Sequence, residues 1–434
     1  MVVTVESLPA KICSGLAAGL MFLALSTVVV RTYAAWRISR KPTVEALRKA
    51  ISLDPTNADY QLALGRLYLY NIPDIDFGKA ILHFSEAVRL NPQDPQAWLE
   101  MGAALNQEGN VEEAEVCLRQ ADKLAPHSPP YQWSIANFFL LQGNIDETFR
   151  HFNVILQGTG LYDEWIFDTA WKASGDPKKI LSEVVPHSLV KEFEYLDYLI
   201  RHQHLADTHD VWERIAGESE TYSPNRAALY FDSLIGAKQL RDAERVWNDL
   251  LRKNVIHAQY TRQESNLLLN GSFEEDFLNM GFDWRISSTD GVAAGRDQTT
   301  FHSPGHSLIV LFDAKQNVFS RNVWQFVPVK PGHAYRLRGF IKTEGITTDS
   351  GPRIEVRDAY DAHLLEKFSE DVTGSSMGWV PLTLEFTASP KTQLIIVSIT
   401  RFPSGKLDNL IQGKAWADDL SMEEELTRES GTKP

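Results

Sequence analysis

Between Asp76 and Pro126 the chain spells out a helical hairpin that cannot be stable alone. Trp98, Met101 and Leu105 are the large residues of its first helix, with Gly102 as the small one; Ala114, Leu118 and Ala121 follow on the second, and Pro126 closes the unit. One such hairpin buries only part of its apolar surface, so it requires neighbours stacked on both sides. The closing prolines give the period. Pro55 to Pro92 is 37 residues and Pro92 to Pro126 is 34, the longer one fitting an insertion around 71–76. The first half of the chain is therefore expected to be an α-solenoid.

These offsets resemble those of the tetratricopeptide repeat. The resemblance implies a protein-binding groove lined by the polar positions of first helices, here Gln61, Glu100, Asn106 and Asn137. Residues 43–53 look like the second helix of a truncated first repeat. The repeat opening at Pro129 keeps Ile135, Ala136, Phe139 and Phe152 but carries Thr148 at a small-residue position. Beyond Gly158 only helical periodicity survives, in segments expected at 165–173, 177–185, 189–202, 208–215, 226–237 and 241–251. The solenoid is assigned to 42–260, degenerate after 158.

Ahead of it, residues 12–30 contain no charge and are bounded by Lys11 and Arg31. Nineteen residues at about 1.5 Å each span about 30 Å, enough for the hydrocarbon of a bilayer. The expectation is an uncleaved single-pass anchor in the inner (cytoplasmic) membrane, because the residues that follow make a poor signal-peptidase site. Orientation signals conflict. Arg31, Arg37, Arg40 and Lys41 follow the span and favour a cytoplasmic C-terminal part, whereas a sugar-binding module, argued below, would serve outside the cytoplasm, and that side is preferred. Residues 1–41 carry +4 of a net charge of −14, leaving −18 on the rest. So acidic a body argues against nucleic acid as a partner. Only Cys13 and Cys117 are present, and neither position suggests a disulfide framework.

At Asn266 the period changes from helical to two. Leu267–Leu269 leads into the turn Asn270-Gly271-Ser272, and β-prone runs follow at 307–312, 323–329, 335–343, 353–357, 379–387, 394–400 and 415–422. Such a series without helices describes an antiparallel β-sandwich over 266–424, with a flexible tail at 425–434. Four segments carry a resemblance to jelly-roll carbohydrate-binding modules of the galactose-binding-like class: Asn270 to Glu274, Ser303 to Leu308, Pro331 to Leu337 and Trp416 to Leu420. Gly281-Phe282-Asp283-Trp284-Arg285 resembles a segment of bacterial membrane-anchored tetratricopeptide-repeat proteins that accompany exopolysaccharide and exosortase systems.

The module resemblance implies a structural calcium ion between first and last strands, with Glu274, Glu275, Asp418 and Asp419 as its oxygen ligands. Sugar faces stack on exposed aromatic rings, for which Trp284, Trp324 and Tyr360 are the platform candidates, although most aromatics here sit in alternating apolar runs and read as core. His202, His204 and His209, with Asp207 and Asp210, fall at a helix junction and read as a solvated loop. No phosphate loop, nucleophile elbow or zincin helix is found in the sequence. The whole reads as a membrane-anchored, non-enzymatic scaffold with an unknown protein partner in its groove and polysaccharide as a candidate second partner. The alternatives are a sandwich that is purely structural or a glycan-active enzyme.

Overall fold

The structure is a computed structural model that describes residues 8–425 apart from Thr159 and Glu264; the tail beyond Glu425 lies outside the described residues. The chain divides into two compact units, 1–186 and 187–434.

The first unit is helical: α1 (Leu8–Ser39), α2 (Val44–Leu53), α3 (Ala58–Tyr70), α4 (Phe77–Leu90), α5 (Pro95–Glu108), α6 (Val111–Leu124), α7 (Pro129–Leu141), α8 (Ile145–Leu156), α9 (Asp163–Ser174) and α10 (Pro177–Lys179), the last running into a π-helical turn at Ile180–Val184. Local signals set these boundaries. Asn57, Asp76 and Asp94 cap α3, α4 and α5 by accepting backbone N–H groups at 2.9–3.0 Å. Pro95 and Pro129 occupy first-turn positions, where a missing N–H costs nothing. The expected insertion between α3 and α4 is a 3₁₀ turn at Ile72–Asp74. Gly102 is required by packing, since a Cβ there would lie 2.9 Å from Leu118 Cγ on the partner helix. Thr148 is accommodated at its small-residue position because its hydroxyl donates to the Asn144 carbonyl at 2.8 Å.

The half repeat expected at 43–53 is completed by the end of the apolar helix. Ala35 of α1 is fully buried in a cluster with Ala50 of α2 and Tyr60 of α3, so the last turns of α1 serve as the missing first helix. Upstream of that contact α1 exposes its apolar side chains, Phe22 by 74% and Leu20 by 67%. Its segment Ile12–Ser39 is, among the described residues, the one helix long and apolar enough to cross a membrane.

The second unit opens with α11 (Leu189–Arg201), α12 (His209–Gly217), α13 (Ala228–Gly236) and α14 (Leu240–Arg252), close to the expected spans. The strands follow: β1 (Arg285–Ile286), β2 (Val292–Asp297), β3 (Ser307–Asp313), β4 (Ser320–Pro328), β5 (Ala334–Glu344), β6 (Arg353–Asp358), β7 (Glu366–Phe368), β8 (Val380–Thr387), β9 (Leu394–Arg401) and β10 (Gln412–Glu424). They form two five-stranded antiparallel sheets, ordered β1-β4-β9-β6-β7 and β2-β3-β10-β5-β8. Inward residues such as Val323, Val327, Leu337, Ile341, Val397 and Met422 fill the space between them.

Leu267–Leu269, where the period changes, forms no strand. Leu267 N–H donates to the Met422 carbonyl at 2.8 Å, and the buried Gln325 carboxamide takes both backbone groups of Leu269 at 3.1 and 2.8 Å. A side chain thus replaces the neighbouring strand. The 281–285 segment fastens the last helices to the sandwich. Gly281 has φ +62°, and a Cβ would fall 2.0 Å from Cζ3 of Trp247 on α14. Phe282 packs edge-on against Phe231 of α13 at 4.8 Å, while Arg285 makes a two-pronged ion pair with Asp232. The helices α13 and α14 and the sandwich therefore belong to one compact unit.

Candidate functional site

A cavity of about 320 Å³ opens on the first helices of successive repeats, lined by Tyr70, Gln96, Glu100, Asn106, Asn137 and Leu141 among others. Three of the four expected groove residues are in it. Glu100 is its organised centre: Oε1 accepts from Arg66 Nε at 2.8 Å and Gln96 Nε2 at 2.9 Å, and Oε2 accepts from the Tyr70 hydroxyl at 2.7 Å. Loss of water around its hydroxyl first, and then the bond to Glu100, raises the Tyr70 phenol above its ordinary pKa, although the rest of the side chain is exposed, so it stays a donor. Asn106 Oδ1 receives only a long contact from Gln142 Nε2 at 3.4 Å. Asn137 is half-buried, with its carboxamide turned to neither backbone nor a neighbour in any hydrogen bond among the described residues. Leu141 is 78% exposed and Tyr70 61%. The cavity thus offers a fixed acidic centre, available carboxamides and apolar rims. Carboxamides that can donate and accept at once suit an extended backbone.

Gln61 departs from expectation. It is buried, and its Oε1 meets His83 Nδ1 of the paired helix at 2.8 Å. It closes its own hairpin and does not line the cavity.

Residues 76–138 match the tetratricopeptide repeat family model. No curated protein matches the chain. Among solved structures it is similar to the MamA protein, with 15% identity over 46% of this chain and 98% of that one at a TM-score of 0.30. The protein described as CBM4 is 12% identical over 36% of this chain and 99% of its own, at 0.27. The enzymatically active domain of bacteriophage CBA120 tailspike protein 4 is 15% identical over 37% of this chain at 0.26, and the chain spans only 22% of its length.

On the sandwich the expected sites are rearranged. Trp284 is no platform: it is fully buried, packed on Phe273 at 5.2 Å, with its Nε1 donating to the Asn270 carbonyl at 3.1 Å. Trp324 is half-buried, with the Arg285 guanidinium 5.0 Å from its ring centre. Lys238 Nζ lies 5.2 Å from the ring centre of Tyr360, which is 36% exposed. Each ring therefore already carries a cation of the same unit on one face. A different aromatic patch lies on the outward side of the second sheet. The His302 ring stacks on Phe340 at 3.8 Å and meets Trp379 edge-on at 5.7 Å, while Lys342 Nζ stands 5.9 Å from the centre of the Trp416 ring. The signal for it is parity: Phe340 and Lys342 fall on the outward positions of β5, alternating with the inward Leu337, Gly339 and Ile341 along the whole strand.

The four calcium candidates do not make one ligand set. Asp418 Oδ2 accepts the N–H groups of His302 and Ser303 at 2.7 and 3.1 Å, and its Oδ1 accepts that of Asp419. Burial pushes its carboxyl above the usual carboxylate range. Asp419 Oδ2 is 2.6 Å from His302 Nδ1, Glu274 holds the backbone and ring of His306 at 3.1 Å, and the Glu275 backbone N–H is bound by Asn270. Calcium needs six to eight oxygens. Backbone N–H groups occupy both Asp418 oxygens and Oε1 of Glu274, and the His306 ring takes Glu274 Oε2, so these carboxylates as placed are engaged by donors of the protein itself.

Proposed function

We propose that this protein is a non-enzymatic scaffold anchored in the inner membrane by residues 12–30, which holds an extended segment of a partner protein in the groove around Glu100, Asn106 and Asn137. The observation that carries the reading is the cavity on the repeat stretch 76–138, where a satisfied acidic centre lies beside carboxamides available for bonding. The anchor would raise the local concentration of both binding surfaces at the membrane. A photo-crosslinking residue introduced at Asn137 in cells should capture one protein, whose affinity then falls about tenfold, or about 1.4 kcal/mol, in Asn106→Ala/Asn137→Ala. Unchanged affinity in that double variant overturns the assignment of the groove.

The second reading concerns the sandwich. The Phe340–His302–Trp379 patch supports a polysaccharide partner, as in exopolysaccharide assembly or export, because aromatic faces stack on sugar rings. Retention of exopolysaccharide by the full chain, lost in Trp379→Ala, would support this role; no retention by the wild type would leave the sandwich as a structural element. An extracytoplasmic location of both units goes with this reading, and protease digestion of both units in spheroplasts is its expected result.

A further inference from the structure

At the start of the second unit, His187 precedes α11, Glu192 lies in the first turn and a half of that helix, and Glu218 ends α12. Their ligand atoms lie within 4.8 Å of one another. His187 Nδ1 and Glu218 Oε1 are 3.9 Å apart. Proximity of acids to a histidine is common on surfaces and carries nothing alone. What distinguishes this group is Glu192, whose side chain is fully buried. Its Oε1 is satisfied by Arg214 Nε at 2.7 Å, but its Oε2 is buried with no hydrogen-bond partner among the described residues. An unpaired carboxylate oxygen away from water costs on the order of 1–3 kcal/mol or more, and a group this expensive is normally matched by a ligand, a proton or an ion.

We infer that His187, Glu192 and Glu218 bind one divalent transition-metal ion of the zinc class, with Oε2 of Glu192 as the buried ligand. One imidazole and two carboxylates match the three-protein-ligand donor set that zinc accepts; calcium and magnesium would ask for an all-oxygen shell. Ligand atoms about 2.1 Å from zinc stand about 3.4 Å apart in a tetrahedron, so the observed separations close by a small movement. His187 can make that movement, being 80% exposed at its side chain, and Glu218 is 31% exposed. Lys253 holds the other side of the site steady by donating to the carbonyls of Ala216 at 3.2 Å and of Glu218. The ion would tie the end of α12 to the beginning of α11.

The second histidine–acid group, His209, Asp210 and Glu213, lacks the decisive feature: none of the three is buried, and His209 already contacts Arg245 Nη1 at 3.1 Å. It serves as the control. Metal-free full chain in detergent would be titrated with Zn²⁺ against a chromophoric chelator, and with Co²⁺ to read tetrahedral absorption bands. The expected result is one ion per chain. A second-layer partner alone is worth about 10–100-fold in metal affinity, so His187→Ala and Glu218→Gln should each weaken binding by about 100-fold, with His209→Ala unchanged. His187→Ala alters an exposed loop position and leaves Arg214 its carboxylate, so loss of binding there is not loss of fold. Absence of stoichiometric zinc in the wild type, or loss through His209→Ala with His187→Ala unaffected, overturns the inference.

Discussion

His151 Nδ1 lies 2.5 Å from the side-chain oxygen of Gln132, and its other ring nitrogen lies 2.8 Å from Arg150 Nη2. Gln132 Oε1 can only accept and the guanidinium can only donate, so the ring carries its proton on Nδ1 and is neutral. Burial, and next the charge of Arg150, depress its pKa from 6.5 to about 4. The unfolded chain therefore binds a proton that the folded chain refuses between these values. Stability is fully present above pH 6.5 and is lost as pH falls toward 4, by on the order of 3 kcal/mol. Chemical unfolding across this range should show the slope, and His151→Gln should flatten it while lowering stability at pH 7. A slope identical in the variant would remove His151 as its source.

Ala35 makes a sharper prediction about where the anchor ends. Because it is buried against Ala50 and Tyr60, the last turns of α1 belong to the first helical pair even if the upstream part lies in lipid. A chain starting at Arg31 should keep slow amide exchange in α2, whereas one starting at Lys41 should lose it. Ala35→Asp, which would bury an unpaired charge, should cost about 3 kcal/mol. Equal protection in both truncations would show that α2 needs no partner from α1.

The sequence was most legible where one periodicity governs a long stretch. The run expected at 335–343 became β5 at Ala334–Glu344, and the helix expected at 189–202 became α11 at Leu189–Arg201. Short pairings were not legible: β7 has three residues, Glu366–Phe368, too few for an alternation to register. Glu100, Asn106 and Asn137 line one cavity, and their shared placement was legible because the repeat fixes which helix positions face outward. Gln61 was not, since its partner His83 is 22 residues away. Trp284 failed as a platform for a related reason: side-chain chemistry identifies a ring that could stack on sugar, and only packing decides that Phe273 and the Asn270 carbonyl have taken it. Asp283 beside it shows the same blindness. It is fully buried with its carboxyl pushed up to about 7 by burial, and nothing in a Gly-Phe-Asp-Trp-Arg string announces that.

Arg401 at the end of β9 is the strongest case of structure hidden from sequence, and it yields a test of what holds the sandwich loops. The side chain is fully buried, yet it points inward where parity calls for an apolar residue. Its guanidinium donates through Nη1 to Asn317 Oδ1 at 2.8 Å and the Val318 carbonyl at 2.6 Å, through Nε to the Ser350 carbonyl at 3.2 Å, and through Nη2 to Thr348 Oγ1 at 3.3 Å. Asn317 in turn takes both backbone groups of Ser404 at 2.8 Å. Three loops are thus tied to one planar cation. Lysine keeps the charge but offers a single nitrogen, which cannot reach acceptors spread around a fork. Arg401→Lys should therefore lower stability by about 2–4 kcal/mol, because it leaves buried carbonyls unpaired. Asn317→Ala should cost less, and the double variant should cost less than the two together, since they share the Arg401–Asn317 bond. Tryptophan-monitored urea unfolding of the full chain provides the measurement. Strict additivity, or a wild-type midpoint for Arg401→Lys, would mean that the loops are held by their own backbone bonds and that the buried guanidinium is only filling space.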